Sequence, residues 1–459
     1  MKWLLIMMVG AVAHGASMVD LTFDPGVGGN NVVEQALELT DGKVLACGLF
    51  TTFNNQSRPW IVRLNADGSL DESFLARPSG WVRHMVVQPD GKIVVAGFFS
   101  FMNGVKRNLI ARLNPDGTLD TTFDPGLGFE VDLAEDIYHN AQPDVMWLEL
   151  QPDGKILAAG DFRQYNGQSN NGFARINPDG SRDNTFQLGS GLDSWGRSIR
   201  VLADGKILLT GWFTTYNGQP FNRIVRLFPD GTPDHSFNAY YGDKTSVYSA
   251  VQLPDGKIIT AGHSLNTTFT REVVRLNPDG SIDPTWVGTT NEKTECVLLQ
   301  EDGKTIFGGY FWLVNGEGSH QGVARLNADG TVDPTFTAQT DNLVWTVAPA
   351  RNNKILLSGG FSHVDGITRN GVVRLNLPDP PAQIGDDRPM ISNPRLNGSA
   401  FECGVLSAAG YTYTLQFKTT MESADWTSLS PVAGTGAPIV LTDNAAEENR
   451  FYRVQATKL

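Results

Sequence analysis

Short apolar runs punctuated by polar turns recur along the chain. Ile93-Val94-Val95-Ala96 is one such run, and it follows directly on the turn Asp90-Gly91-Lys92. The same Asp-Gly-Lys turn stands at Asp41, Asp153, Asp204, Asp255 and Asp302, with a degenerate copy at Asn352-Asn353-Lys354. The seven turns are spaced by 49, 63, 51, 51, 47 and 50 residues. A regular period of about 50 residues marks a repeat architecture and matches one four-stranded propeller blade.

Each repeat follows one script. Seven residues past the turn Asp or Asn stands a glycine: Gly48, Gly97, Gly160, Gly211, Gly262, Gly309 and Gly359. The residue before it is always small, from Cys47 and Ala96 to Gly308 and Ser358. Glycine beside a small neighbour lets backbones approach closely, as sheets packed around an axis require. Cys47 fills a slot for small residues and reads as a buried structural thiol. Two residues beyond the glycine comes Phe50, Phe99, Phe162, Phe213, Phe311 or Phe361, with Ser264 as the exception. Asn-Gly loops follow in several copies, as at Asn103-Gly104, and suit tight turns with positive φ. A third run ends in Arg-Leu-Asn or close to it, then a second turn, then Asp-x-x-Phe. Two Asp-Gly turns flanked by β-formers predict a meander of four antiparallel strands per repeat.

The chain ends account for the blade count. Arg63, Arg112, Arg175, Arg226, Arg275 and Arg325 are each followed eight residues later by an aspartate, whereas Ala382 occupies that place after Arg374. The missing segment stands near the N-terminus, where Asp20-Leu21-Thr22-Phe23-Asp24-Pro25-Gly26 parallels Asp120-Thr121-Thr122-Phe123-Asp124-Pro125-Gly126. The expectation is an all-β fold: a seven-bladed β-propeller closed by the N-terminal strand, with Arg374 paired to Asp20. Closure of this kind removes exposed sheet edges.

The pattern Gln-Pro-Asp-Gly-Lys…Ala-Gly-x-Phe…Arg-Leu-Asn-Pro-Asp-Gly-x-x-Asp-x-x-Phe resembles the delta-60 repeat family of secreted bacterial β-propeller-like proteins. The resemblance covers about residues 20 to 380. It implies fold and bacterial export, and it brings no activity that can be assigned to a residue. Copy five departs most, and copy three carries a longer linker at about 126–145.

The remaining features bound the location. Lys2, the apolar run Trp3 to Val12, and small Ala13 and Gly15 read as a signal peptide, residues 1–15. The propeller is expected over 16–380, a Pro/Asp-rich linker over 381–389, and a small immunoglobulin- or fibronectin-like β-sandwich over 390–459. That last part alternates apolar and polar residues, as in Tyr411-Thr412-Tyr413-Thr414-Leu415. No later stretch is apolar for long enough to span a bilayer. A secreted, periplasmic or cell-surface protein is expected. The formal net charge of -13 disfavours nucleic acid and anionic membrane surfaces. Cys47, Cys296 and Cys403 are too few and too scattered for a disulfide framework or a metal motif. Cys403 is expected in the core of the C-terminal domain. Nucleophile-elbow, zincin, P-loop and Rossmann motifs are all missing from the chain.

Invariance across repeats marks scaffold, so candidate specificity lies where a repeated position varies. Seven residues before each turn the series runs Glu34, Arg83, Met146, Arg197, Tyr248, Glu295, Trp345, with Trp81 and Trp195 two residues earlier in copies two and four. These strand starts should ring one mouth of the central channel. Aromatic and charged groups together suit a polar ligand with flat apolar faces, such as a carbohydrate; the plain alternative is variable packing at a solvent rim. The linker of copy three adds Glu130, Asp132, Glu135, Asp136, Tyr138 and His139 on the same side, and its carboxylates could hold calcium; a solvated acidic loop is the plainer reading. No other cofactor is implied. Three functions follow: a non-enzymatic binding or adhesion module for an extracellular glycan or protein, a polysaccharide hydrolase or lyase using carboxylates from different blades, or a structural envelope protein. Two carboxylates converging in one cleft, one perturbed by burial, would favour the enzyme.

Overall fold

The computed structural model describes residues 17–130, 143–239, 245–264, 272–318, 320–377 and, nearer the C-terminus, 391–397, 400–406, 411–419, 425–434, 438–444 and 450–458. The described residues are all strand, turn and loop, with no helix long and apolar enough to cross a membrane. The chain divides into two compact units after Pro378.

Seven three-stranded antiparallel sheets of the first unit are its blades, one per repeat. In the second blade the inner strand Val82–Val87 pairs with Ile93–Gly97, which pairs in turn with Ile110–Leu113. The apolar run after each Asp-Gly-Lys turn is the middle strand, and its residues are fully buried because sheets pack on both faces. The Asn103-Gly104 turn has φ of 50° and 79°, the double positive φ that Asn-Gly tolerates. The hairpin it caps, Phe101–Met102 with Val105–Lys106, rises beyond the blade as its own small ladder.

The fourth strand differs from the expectation. The Asp-x-x-Phe segment contributes one isolated bridge per blade, such as Leu113↔Leu119, rather than a full strand. The aspartate is the reason. Asp120 Oδ1 accepts from the amide and hydroxyl of Thr122, so the chain turns away two residues later. Ring closure uses the same bridge in the last blade: Val19 pairs with Leu375, and the Asp20 amide donates to the Arg374 carbonyl at 2.8 Å.

The other carboxylate oxygen explains why arginine, aspartate and lysine recur together. Arg374 Nε and Lys354 Nζ both donate to Asp20 Oδ2 at 2.7 Å. Arg112 and Lys92 do so to Asp120, and Arg226 and Lys206 to Asp234. All seven blades repeat the triad, and each guanidinium also lies over the following aromatic ring, Phe23 for Arg374 and Trp286 for Arg275. The triads join blades as well. Arg226 donates to the Pro278 carbonyl of the next blade at 2.9 Å, and Arg374 to Ala66 at 3.2 Å across the closure. Burial alone would raise these aspartates, but hydrogen bonds from lysine, from Ser or Thr and from arginine outweigh it and hold Asp20, Asp120 and Asp234 well below the carboxylate range.

The second unit is a sandwich of two sheets. Ala400–Leu406 lies between Ile391–Asn397 and Pro438–Asp443; Tyr411–Lys418 pairs with Phe451–Lys458 on one edge and with two short strands on the other. Cys403, Val405 and Leu441 from one sheet meet Tyr413, Leu415 and Val454 from the other in a shared core. Cys403 is buried there as expected.

Candidate functional site

The glycine seven residues past each turn builds the candidate site. A Cβ on Gly97 would collide with the Trp81 carbonyl oxygen, one on Gly211 with that of Trp195, and one on Gly309 with that of Lys293; the same collision recurs in all seven blades. Only glycine lets the inner strand lie this close. The crowding accompanies a β-bulge in every inner strand. The register skips one residue between Val33 and Gln35, Val82 and His84, Val145 and Trp147, Gly196 and Ser198, Val247 and Ser249, Thr294 and Cys296, and Val344 and Thr346. The skipped residues are Glu34, Arg83, Met146, Arg197, Tyr248, Glu295 and Trp345. A bulge re-aims one side chain out of the ladder. The variable series of the repeat is therefore the bulge series, and its members share one end of the channel, here termed the starting end.

Two ionic clusters form there. Arg83 Nη1 donates to Glu34 Oε1 at 3.1 Å, and its Nε meets Asp144 Oδ2. Arg197 Nη2 donates to Glu295 Oε2 at 3.0 Å, and Lys293 Nζ forms an ion pair with Glu295 Oε1 at 2.6 Å. The two clusters feel each other, since Arg197 and Glu295 both act on Glu34. Burial pushes Glu34 up to about 7 against the pull of Arg83, and it raises Asp144 as well. The aromatic members gather on the later blades. Arg197 lies 5.5 Å from the Tyr248 ring and 5.3 Å from that of Trp345, and Lys293 reaches the same two rings at 5.3 and 5.4 Å. Trp212 stacks on Tyr248 at 6.4 Å and meets Trp195 at 6.0 Å. Trp81 stands apart, against Phe98 and under Arg83.

Eight of the nine residues singled out from sequence thus lie on this rim: Glu34, Trp81, Arg83, Trp195, Arg197, Tyr248, Glu295 and Trp345. Tyr138 and the acidic stretch around it lie outside the described residues, except Glu130, whose carboxylate accepts from the Gly167 amide at 3.2 Å. Sequence reasoning missed Asp144, Lys293 and Trp212. The first two occupy the register of Trp81 and Trp195, two residues before the bulge. Trp212 follows its blade's glycine directly, a position held by Phe98 and Tyr310 in other blades. Among the described residues no group of three or more histidine, cysteine, aspartate and glutamate side chains could hold a metal ion.

The other end of the channel, where the inner strands finish, opens into a cavity of about 960 Å³. Its walls come from every blade and are mostly leucine, valine and proline. The polar groups among them are Gln35, His84, Glu149, Arg200 and Asp204 from the first four blades, with Gln252 and Thr346 beyond. Burial and the charges of Arg200 and Arg197 push His84 down to about 3, so it is neutral.

Fold and rim together define a seven-bladed β-propeller with an ionic and aromatic channel mouth. Seven segments, residues 39–74, 88–123, 151–186, 202–237, 253–285, 300–336 and 350–379, match the family model described as domain of unknown function (DUF5122) beta-propeller. These segments make up more than half of the chain, which belongs to that family. No curated protein matches the chain significantly. Among solved structures, a streptogramin B lyase is similar at 13% identity, covering 78% of this chain and 97% of its own, with a TM-score of 0.48. The exo-beta-1,3-galactanase of Phanerochaete chrysosporium, solved with galactose, is 14% identical, covering 86% and 94% with a TM-score of 0.30. The periplasmic gluconolactonase of Pseudomonas aeruginosa is 11% identical, covering 92% and 98% with a TM-score of 0.36. Likenesses this distant say nothing about chemistry.

Proposed function

We propose that this chain is a secreted, non-enzymatic binding or adhesion module that takes a carbohydrate at the starting end of its channel. The observation that carries the reading is the shared rim of Trp195, Trp212, Tyr248 and Trp345 with Arg197, Lys293 and Glu295. Aromatic faces cover the apolar face of a sugar ring, and fixed charged groups meet its hydroxyls. The carboxylates Glu34, Asp144 and Glu295 are each already engaged by a cation. This suits recognition better than proton transfer, which needs a carboxyl free to face the scissile bond. The test is a glycan array with residues 16–459 and the variants Trp345→Ala and Arg197→Ala. Specific binding that falls at least about tenfold in either variant supports the rim. Binding untouched by both places the ligand elsewhere.

One observation favours polysaccharide hydrolysis or elimination instead. Glu34, raised to about 7, shares Arg83 with the second raised carboxylate, Asp144. A carboxylic acid still protonated near neutral pH is what a general acid requires. On that reading, products appear from a polysaccharide that the array identifies, and Glu34→Gln abolishes their formation while leaving retention intact.

A further inference from the structure

The far end of the channel has its own sequence logic. Three residues after each bulge stand Leu37, Val86, Glu149, Arg200, Val251, Leu298 and Ala348. Five are apolar. The two exceptions occupy neighbouring blades and face each other, with Arg200 Nη1 at 3.8 Å from Glu149 Oε2. One residue after the bulge, Gln35 and His84 occupy two further adjacent blades, their side-chain nitrogens 3.1 Å apart. The charged groups of the cavity and most of its polar ones thus come from the first four blades, and the other three add Gln252 and Thr346 to an otherwise mainly apolar lining.

Scaffolding alone does not require this arrangement. A channel left to water would be lined by groups that water can hydrogen-bond, whereas Leu37, Val86, Leu150, Val201, Leu298 and Val347 turn apolar surface into a concave space. The volume falls at the upper end of the range for small-molecule sites, roughly 300–1,000 Å³, and a mostly apolar wall with few convergent polar groups is their usual composition. One donor stands ready. Arg200 Nε is buried with no hydrogen-bond acceptor, while the side chain as a whole, its guanidinium 5.3 Å from the Trp147 ring, remains about one-third exposed. A buried donor without a partner is costly and marks a place for an acceptor. The charges argue against an ion. Arg200 is opposed by Glu149 at 3.8 Å, and Asp204 is a second carboxylate of the same lining, so the lining offers an anion no net attraction. His84 is neutral, and although burial raises Glu149, the neighbouring Arg200 charge opposes that rise.

We propose that the far end of the channel is a second binding site, for an uncharged, mainly apolar small molecule bearing a hydrogen-bond acceptor that the Arg200 guanidinium meets. The site is independent of the rim at the starting end.

Prodan, an uncharged naphthalene ketone whose emission shifts to the blue when desolvated, is the probe, titrated into residues 16–459. The expected result is saturable binding, weakened about tenfold by Arg200→Met, abolished by the cavity-filling Val347→Trp, and unchanged by Trp345→Ala at the opposite end. Anilinonaphthalene sulfonate, similar in size but anionic, binds at least about tenfold more weakly. Thermal melts of each variant separate loss of the site from loss of the fold, and Arg200→Met keeps the test decisive should Val347→Trp fail to fold. Non-saturable binding, binding equal in wild type and Arg200→Met, or sulfonate binding as tight as prodan overturns the proposal.

Discussion

The triads and the starting end of the channel are built from the same residue types to opposite effect. In the triads, one aspartate per blade meets a lysine, an arginine and a hydroxyl, and its charged form is held far below the carboxylate range. At the channel, Glu34 and Asp144 share one guanidinium, and burial wins, so both are raised. The difference is twofold: the channel carboxylates lie much deeper than the triad aspartates, and each has fewer donors. Three donors aimed at one group repay its desolvation; half of an arginine does not. Identical groups in seven blades hold the ring together, and unlike groups at the bulges line one end of its channel.

The largest effect is expected where the comparison places the strongest pairing. Asp120→Ala strands Arg112 and Lys92 beside a buried gap and should lower stability by about 3–5 kcal/mol in urea unfolding. A cost below about 1 kcal/mol would mean that the triad is decoration and the blades are held by their apolar cores alone. The pH response follows from the same depression. The triads contribute fully above the unfolded value of about 4 and are lost as pH falls below it towards the folded values. Acid unfolding should therefore take up protons steeply below about pH 4, and potentiometric titration across the transition counts them.

A smaller effect is expected where scaffold and site meet. Gly211→Ala drives a methyl group into the Trp195 carbonyl and must displace the strand that carries Arg197. We expect a loss of about 1–3 kcal/mol in stability. Rim binding should weaken with it, since both arms of the Arg197–Glu295 pair depend on the bulge. Retained binding at reduced stability would separate the bulge from the site.

Much of this is legible in the sequence. The Asp-Gly-Lys turns, the glycines and the Asp20 segment are each demanded by backbone geometry, so they repeat and can be read. The bulge residues were legible for the converse reason, because a position that varies inside an invariant frame stands out. Lys92 was not legible as a member of the triad; in sequence it is only the exposed end of a turn. Asp144 and Lys293 were hidden because the bulge brings two registers of the strand to one rim. The far cavity was invisible: Leu37, Val86 and Leu298 read as core, and only the ring shows that their side chains border an open space. The full fourth strand was over-read, since Asp-x-x-Phe has strand composition but spends its aspartate on a turn.

The sharpest test of the comparison is also the smallest in energy. Glu34 has a folded value of about 7 against an ordinary 4.5, so between those values the folded chain holds a proton that the unfolded chain has lost. Its contribution therefore runs opposite to that of the triads: it is most favourable below pH 4.5, declines as pH rises, and becomes a constant penalty above about 7. Glu34→Gln keeps the shape and an acceptor for Arg83 while removing the titration. Stability should rise by about 1–2 kcal/mol at pH 8 and lose its slope between pH 4.5 and 7, while the acid transition set by the triads stays where it was. If instead Glu34→Gln destabilises the chain at pH 8 as an Asp120 variant does, Glu34 is one more scaffold carboxylate. The starting end of the channel would then be an inner ring of struts rather than a site.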